Sequence, residues 1–248
     1  MHTYTDCRLV KEWRVLRLAV VMASLFWMAS GSAQAQLGPA NCGPLANAFG
    51  PFDYRTVRGN QLHLVESAHF TPEIEALIRG LSGVLGQELD YTLRAFPNHH
   101  RALISMMRYG ERLKTSKVPR ANYEVECYFV RAVTFQPNDT VARMLFAKFL
   151  LNAKRRDEAL QQLTQVEQHA LDNPFTHYNL GLSYLQAEQY AEALKQAHRA
   201  MALGFTRTEL KDQLVAKGKW KELPPPESTA PATAVDGAKA ESAPASAP

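Results

Sequence analysis

Short segments of this chain recur at one fixed interval. Ala147-Lys148-Phe149-Leu150 lies 34 residues before Gly181-Leu182-Ser183-Tyr184, and Asp157-Glu158-Ala159-Leu160 lies 34 before Ala191-Glu192-Ala193-Leu194. Val166 and Ala200 keep the same interval. No other feature limits the fold as much. A unit of this length holds two helices and their turns, and it cannot bury its apolar face alone. Neighbouring units must stack and share a core, which makes the region all-α and curves it.

Residue types within the period follow from that packing. Gly181 and Ala193 are small where two helices cross, Leu180 and Tyr184 fill the space between them, and Ala200 meets the next unit. Taken together, Asn179-Leu180-Gly181, Tyr184, Tyr190, Ala193, Ala197 and Ala200 resemble the pattern of the tetratricopeptide repeat family. The preceding unit keeps Ala147, Leu150, Ala159, Leu163 and Val166, with Ala147 where the family has glycine. The resemblance is specific over about 120–205 and vague over 71–119. It implies a short right-handed helical-hairpin solenoid. In that family the first helix of each unit lines a concave surface that binds peptide or protein segments. Carried over by register, the partner-binding groove is Met144, Lys148, Leu151, Phe175, Tyr178 and Leu182, with Val141, Asn152 and Leu185 beside them. This set departs from the Lys/Asn/Arg clamp that some members use for a C-terminal carboxylate. An extended apolar segment or a partner helix fits it better than an acidic C-terminus. The alternative is that Met144, Phe175 and Tyr178 are core, or are covered by the chain's own N-terminal extension.

Helical signals continue upstream. Thr71-Pro72-Glu73 reads as a cap, a first-turn proline and an early acid, followed by Ile74, Leu77, Ile78 and Leu81 up to Gly80 and Gly83. Further helices are expected from about Leu85 to Phe96, after a cap at Asn98, and from Asn122 to Phe135. Residues 36–70 are rich in Gly, Pro, Asn and Asp and read as an irregular extension lying against the helices. The expected organisation is a signal peptide over 1–35, that extension over 36–70, and a repeat domain over 71–222. The best repeats are 140–173 and 174–207, with a capping helix over 208–220. The Ala/Pro/Ser-rich tail over 223–248 cannot bury enough apolar area to offset its ordering entropy.

The N-terminus has three parts. Arg8, Lys11, Arg14 and Arg17 precede the apolar run Leu18–Ala29, and Ala33-Gln34-Ala35 follows. This is the pattern of a secretory signal peptide cleaved before Gln36, which predicts a periplasmic or secreted protein that meets a membrane only in transit. An uncleaved anchor is the alternative, but the run is short against the ~20 residues a spanning helix needs. Without residues 1–35 the basic residues fall from 28 to 24 and the acidic from 24 to 22. So small an excess gives no argument for nucleic acid. Cys42 and Cys127 then remain, and in an oxidising compartment they can form one disulfide or stay as two buried thiols.

Histidine is the only candidate for chemistry. His63, His69, His99 and His100 fall in one half of the chain, and such residues ligate zinc or copper. Adjacent His99 and His100 point about 100° apart on a helix, which disfavours a shared ion. A cap at Asn98 would leave both exposed. HExxH and GxSxG motifs are absent, and Glu88 and Asp90 read as a solvated face. The expectation is a non-enzymatic scaffold or adaptor without cofactor or metal, binding a protein or peptide. A metal-binding protein using His63, His69, His99 or His100 is the alternative.

Overall fold

The computed structural model describes residues 42–222, so the expected signal peptide and C-terminal tail lie outside the described residues. The described residues are all-helical, with no strand among them. In chain order the helices are α1 (Asn60–His69), α2 (Pro72–Glu75), α3 (Leu85–Ala95), α4 (His100–Leu113) and α5 (Val125–Phe135). They continue with α6 (Thr140–Asn152), α7 (Arg156–His169), α8 (Pro174–Gln186), α9 (Tyr190–Ala202) and α10 (Glu209–Ala216). The chain forms two compact units that divide between Phe149 and Leu150, inside α6.

In the first unit α3 packs on α1, α2 and α4, and α4 packs on α2 and α5. Leu89, Leu93, Leu103, Met106 and Phe129 are sealed from solvent. Phe129 stacks on Phe146 and Phe149 of α6, with ring centroids 5.8 and 5.1 Å apart. Gly110 permits the α4–α5 contact, because a Cβ there would come within 2.9 Å of Val125 Cγ2. A second apolar cluster joins Leu62 and Val65 of α1 to Ala95 and Phe96, with Phe49, Phe52, Tyr54 and Val57 packed onto it.

In the second unit α8 and α9 form a hairpin, α7 packs on α8, and α10 packs on both hairpin helices. Small residues lie at buried positions of close approach. Ala159, Ala193 and Ala200 are 0–1% exposed, and a Cβ on Gly181 would lie 2.4 Å from Leu210 Cδ2 and 3.4 Å from the Ala193 carbonyl. Ala147 and Tyr184 are buried as well. Backbone conformation repeats with the sequence. The turn after α6 places Lys154 at φ 61° and the turn after α8 places Glu188 at φ 57°, positions 34 residues apart. Each is closed by the same bond pair, Lys154 N–H to Leu151 O with Arg155 N–H to Leu150 O, and Glu188 N–H to Leu185 O with Gln189 N–H to Tyr184 O. This pairing satisfies carbonyls that a helix end leaves open.

Three expectations are corrected. The extension over 36–70 is not irregular throughout, because Asn60–His69 is helical and buries Leu62 and Val65 at i, i+3 spacing. The helix expected from Pro72 through Leu81 stops at Glu75. Leu77 turns left-handed (φ 58°) and Ile78 N–H closes onto Glu73 O, leaving Ile78 and Leu81 in solvent. The helix after Asn122 starts later, at Val125, where the Val125 N–H is taken by Ser116 O.

Replacing Ala193 by Leu overpacks a position with no free volume and should cost ~1–3 kcal/mol, read as a lower urea midpoint with unchanged slope. An unaltered midpoint would mean that α8 and α9 are not as close as described.

Candidate functional site

The groove positions do not share one environment. On α8, Phe175 is 64% exposed, Leu182 is half-buried, and Tyr178 is only 5% exposed. Tyr178 is closed in by Phe205, whose ring lies 4.4 Å away, and by Glu209, which accepts its hydroxyl. Burial, reinforced by Glu209, raises the Tyr178 phenol above its ordinary range. The segment after α9 therefore takes this residue out of an open surface. On α6, Lys148 is exposed while Met144 and Leu151 are half-buried. The crevice beside Tyr178, lined by Met201, Phe205, Arg207 and Lys211, measures ≈ 10 Å³, room for about one water.

The histidines are brought close in sequence but not to one point. Among the described residues no three of His, Cys, Asp and Glu are grouped as a metal site requires. His63 is exposed on α1. The other three each face a different carboxylate. His69 Nδ1 lies 2.7 Å from Glu88, His99 Nε2 lies 3.1 Å from Glu66, and His100 Nε2 lies 2.9 Å from Asp139.

His99 corrects the expected cap. It is fully buried, and its Nδ1 accepts the Ala102 N–H at 3.2 Å, so His99 and not Asn98 caps α4. With Nδ1 as acceptor, the ring proton sits on Nε2 and is donated to Glu66. Tyr54 and Phe70 pack on the ring at 4.1 and 4.7 Å. Burial lowers the His99 pKa, with Glu66 opposing. The bond from His99 in turn lowers Glu66, against the effect of its own partial burial. Asp139 does at α6 what His99 does at α4, accepting the Ala142 N–H at 3.0 Å. Both follow a Pro-Asn pair, Pro97-Asn98 and Pro137-Asn138.

Asn98 is the hub of a buried polar cluster. Its Oδ1 accepts the Tyr54 N–H at 2.9 Å, and its Nδ2 reaches Asp53 at 2.7 Å and Asp139 at 2.8 Å. Arg55 bridges Asp53 and Gln136. Burial raises the Asp53 carboxyl, but bonds from Arg55 and Asn98 outweigh it and bring it down to about 2. Asp139 follows the same pattern, with burial overcome by His100, the Ala142 N–H and Asn98.

Glu88 and Asp90 are not a solvated face. Both are 2% exposed. Glu88 accepts the Ser82 and Gly83 N–H groups and faces His69, and these outweigh its burial and lower its pKa. Asp90 accepts from Arg94, from Asn122 and from the Tyr128 hydroxyl. Arg131 donates to the carbonyls of Cys42, Gly43 and Pro44 and lies over the Tyr123 ring. Cys42 and Cys127 are joined as a disulfide across 85 residues, a closure worth about 4.5 kcal/mol by chain entropy.

No protein-family model matches the chain, and no curated protein matches it.

These shifts fix the sign of a pH dependence. His99 is lowered in the folded state, so stability falls as pH drops below about 6.5 toward its folded value. Glu66, Glu88, Asp139 and Asp53 are also lowered, so their contribution is present above the ordinary carboxylate range and lost as pH falls through it. Urea melts should show a midpoint that declines from pH 7 to 5 and more steeply below. Replacing His99 with Asn, which keeps a capping oxygen, should flatten the upper part of that decline. A flat profile between pH 7 and 4 in the native chain would contradict these assignments.

Proposed function

We propose that this protein is a non-enzymatic scaffold or adaptor of the bacterial envelope, a short tetratricopeptide-like right-handed solenoid that holds a peptide or protein segment on the first helices of its hairpins. One observation carries the reading. At 34-residue spacing the second unit repeats burial (Ala159 and Ala193, Val166 and Ala200) and backbone conformation (Lys154 and Glu188), while Phe175 on α8 stays exposed. Repetition that fixes a core and leaves a large apolar side chain in water favours display of a binding surface over enclosure of a reaction.

Export by a signal peptide ending before Gln36 belongs to this reading. The Cys42–Cys127 bond supports it, since disulfides persist in oxidising compartments. No described helix is long and apolar enough to cross a membrane.

Because Tyr178 is buried, the surface is tested at Phe175 and Leu182. Crosslinking capture from envelope extracts should yield one discrete protein with the native chain. Capture should fall ~10-fold or more with Phe175→Ser/Leu182→Ser, at unchanged helical content, in keeping with the weight a central anchor carries. Equal capture by both forms would remove α8 as the binding surface.

A further inference from the structure

The α2–α3 loop presents aliphatic side chains from a fixed backbone. Arg112 Nη1 donates to Leu77 O at 2.9 Å, and the Glu88 carboxylate accepts from Ser82 and Gly83 at 2.9–3.2 Å. Held from beneath in this way, Ile78, Leu81 and Val84 are 71, 62 and 45% exposed. Leu113, next to Arg112, is 42% exposed. A buried carboxylate and a guanidinium spent on shaping an apolar loop are not what a casual surface excursion requires.

The same region is strongly cationic. From Arg108 to Arg120 there are five basic residues and one acid, Glu111. Arg108, Arg112, Lys114, Lys117 and Arg120 are all exposed. The Arg112–Leu77 bond brings this stretch to the loop, and Gly86 in the first turn of α3, just past the loop, approaches Pro119, where a Cβ would lie 2.1 Å from the carbonyl. Arg79 adds a cation on the loop itself, with Glu73 close enough to feel it.

We propose that this face of the first unit docks on an anionic bilayer surface, with Ile78, Leu81 and Val84 entering the interface and the basic edge engaging lipid phosphates. Stable attachment at a membrane surface takes two signals, such as apolar insertion and attraction to anionic headgroups, and both occur here side by side. The charge pattern favours a bilayer over an acidic protein partner, because exposed aliphatic side chains stand beside five exposed Lys and Arg, the pairing that acyl chains under an anionic headgroup layer take. Long Lys and Arg stems suit a headgroup layer, since they keep charge in water while their methylenes lie along apolar surface. This inference does not depend on the α8 surface.

The test is flotation of the exported chain with vesicles of phosphatidylcholine containing about one third phosphatidylglycerol. The native chain should bind them, and bind pure phosphatidylcholine ~10-fold less or weaker. Ile78→Ser/Leu81→Ser and, separately, Lys114→Glu/Lys117→Glu should each lower binding ~10-fold with an unchanged circular dichroism spectrum. Two independent pairs on exposed positions guard against a folding defect in one. Absence of binding by the native chain, or equal binding by it and both variants, would overturn the proposal. So would capture of an acidic soluble protein through the loop with no vesicle binding.

Discussion

Carboxylates taken largely out of water determine how the first unit is assembled. Asp53, Glu88, Asp90 and Asp139 each accept several bonds from segments that are not helical or from the start of a helix. A buried charge is tolerated only where its acceptor sites are filled, and filling them requires particular backbone groups in particular places. Asp53 and Asn98 thus draw residues 52–57 onto α3 and α4, and Glu88 shapes the loop ahead of its own helix. Asp90 fixes Asn122 and Tyr128 ahead of and within α5. The apolar core alone leaves these connections free. Removal of one partner strands a buried charge, so each group acts through the cost of its being left unpaired more than through the bond it makes.

The N-terminal segment is consequently part of the unit and not an appendage. It is held covalently by Cys42–Cys127, by Arg131 on three successive carbonyls, by the Asn98 cluster and by the packing of Phe49 and Phe52 near Phe96. The disulfide limits the unfolded chain, while the polar contacts select one docked arrangement. In the second unit α10 packs in a similar way, with Leu210 against Gly181 and Glu209 accepting the Tyr178 hydroxyl.

Much of this was legible in the sequence, and the reasons differ by element. Strict spacing made the second unit readable. Ala159, Gly181, Ala193 and Ala200 are small at buried positions, where a larger side chain would meet its neighbours. The helices from Leu85 to Phe135 followed from apolar periodicity. Buried polar groups were not legible, because Glu88 and Asp90 look like any exposed acids until their partners, His69 and Asn122, are placed in space. The short α2 was missed because Ile74, Leu77, Ile78 and Leu81 keep helical spacing, while a left-handed Leu77 leaves no mark in the sequence. The Pro-Asn pairs at 97–98 and 137–138 were the one available signal that His99 and Asp139 are equivalent caps. Tyr178 was placed on an open surface by register alone, which cannot foresee the turn that brings Phe205 over it.

Buried polar groups make residues 42–59 integral to the first unit, and native-state hydrogen exchange reads this at single amides. The Phe52 amide bonds to Ala95 O, the Tyr54 amide to Asn98 Oδ1 and the Val57 amide to Asp53 O. These amides should exchange as slowly as those of α3 and α4 and open together with them. Exchange of all three at rates typical of an unprotected chain, with α3 and α4 still protected, would contradict it.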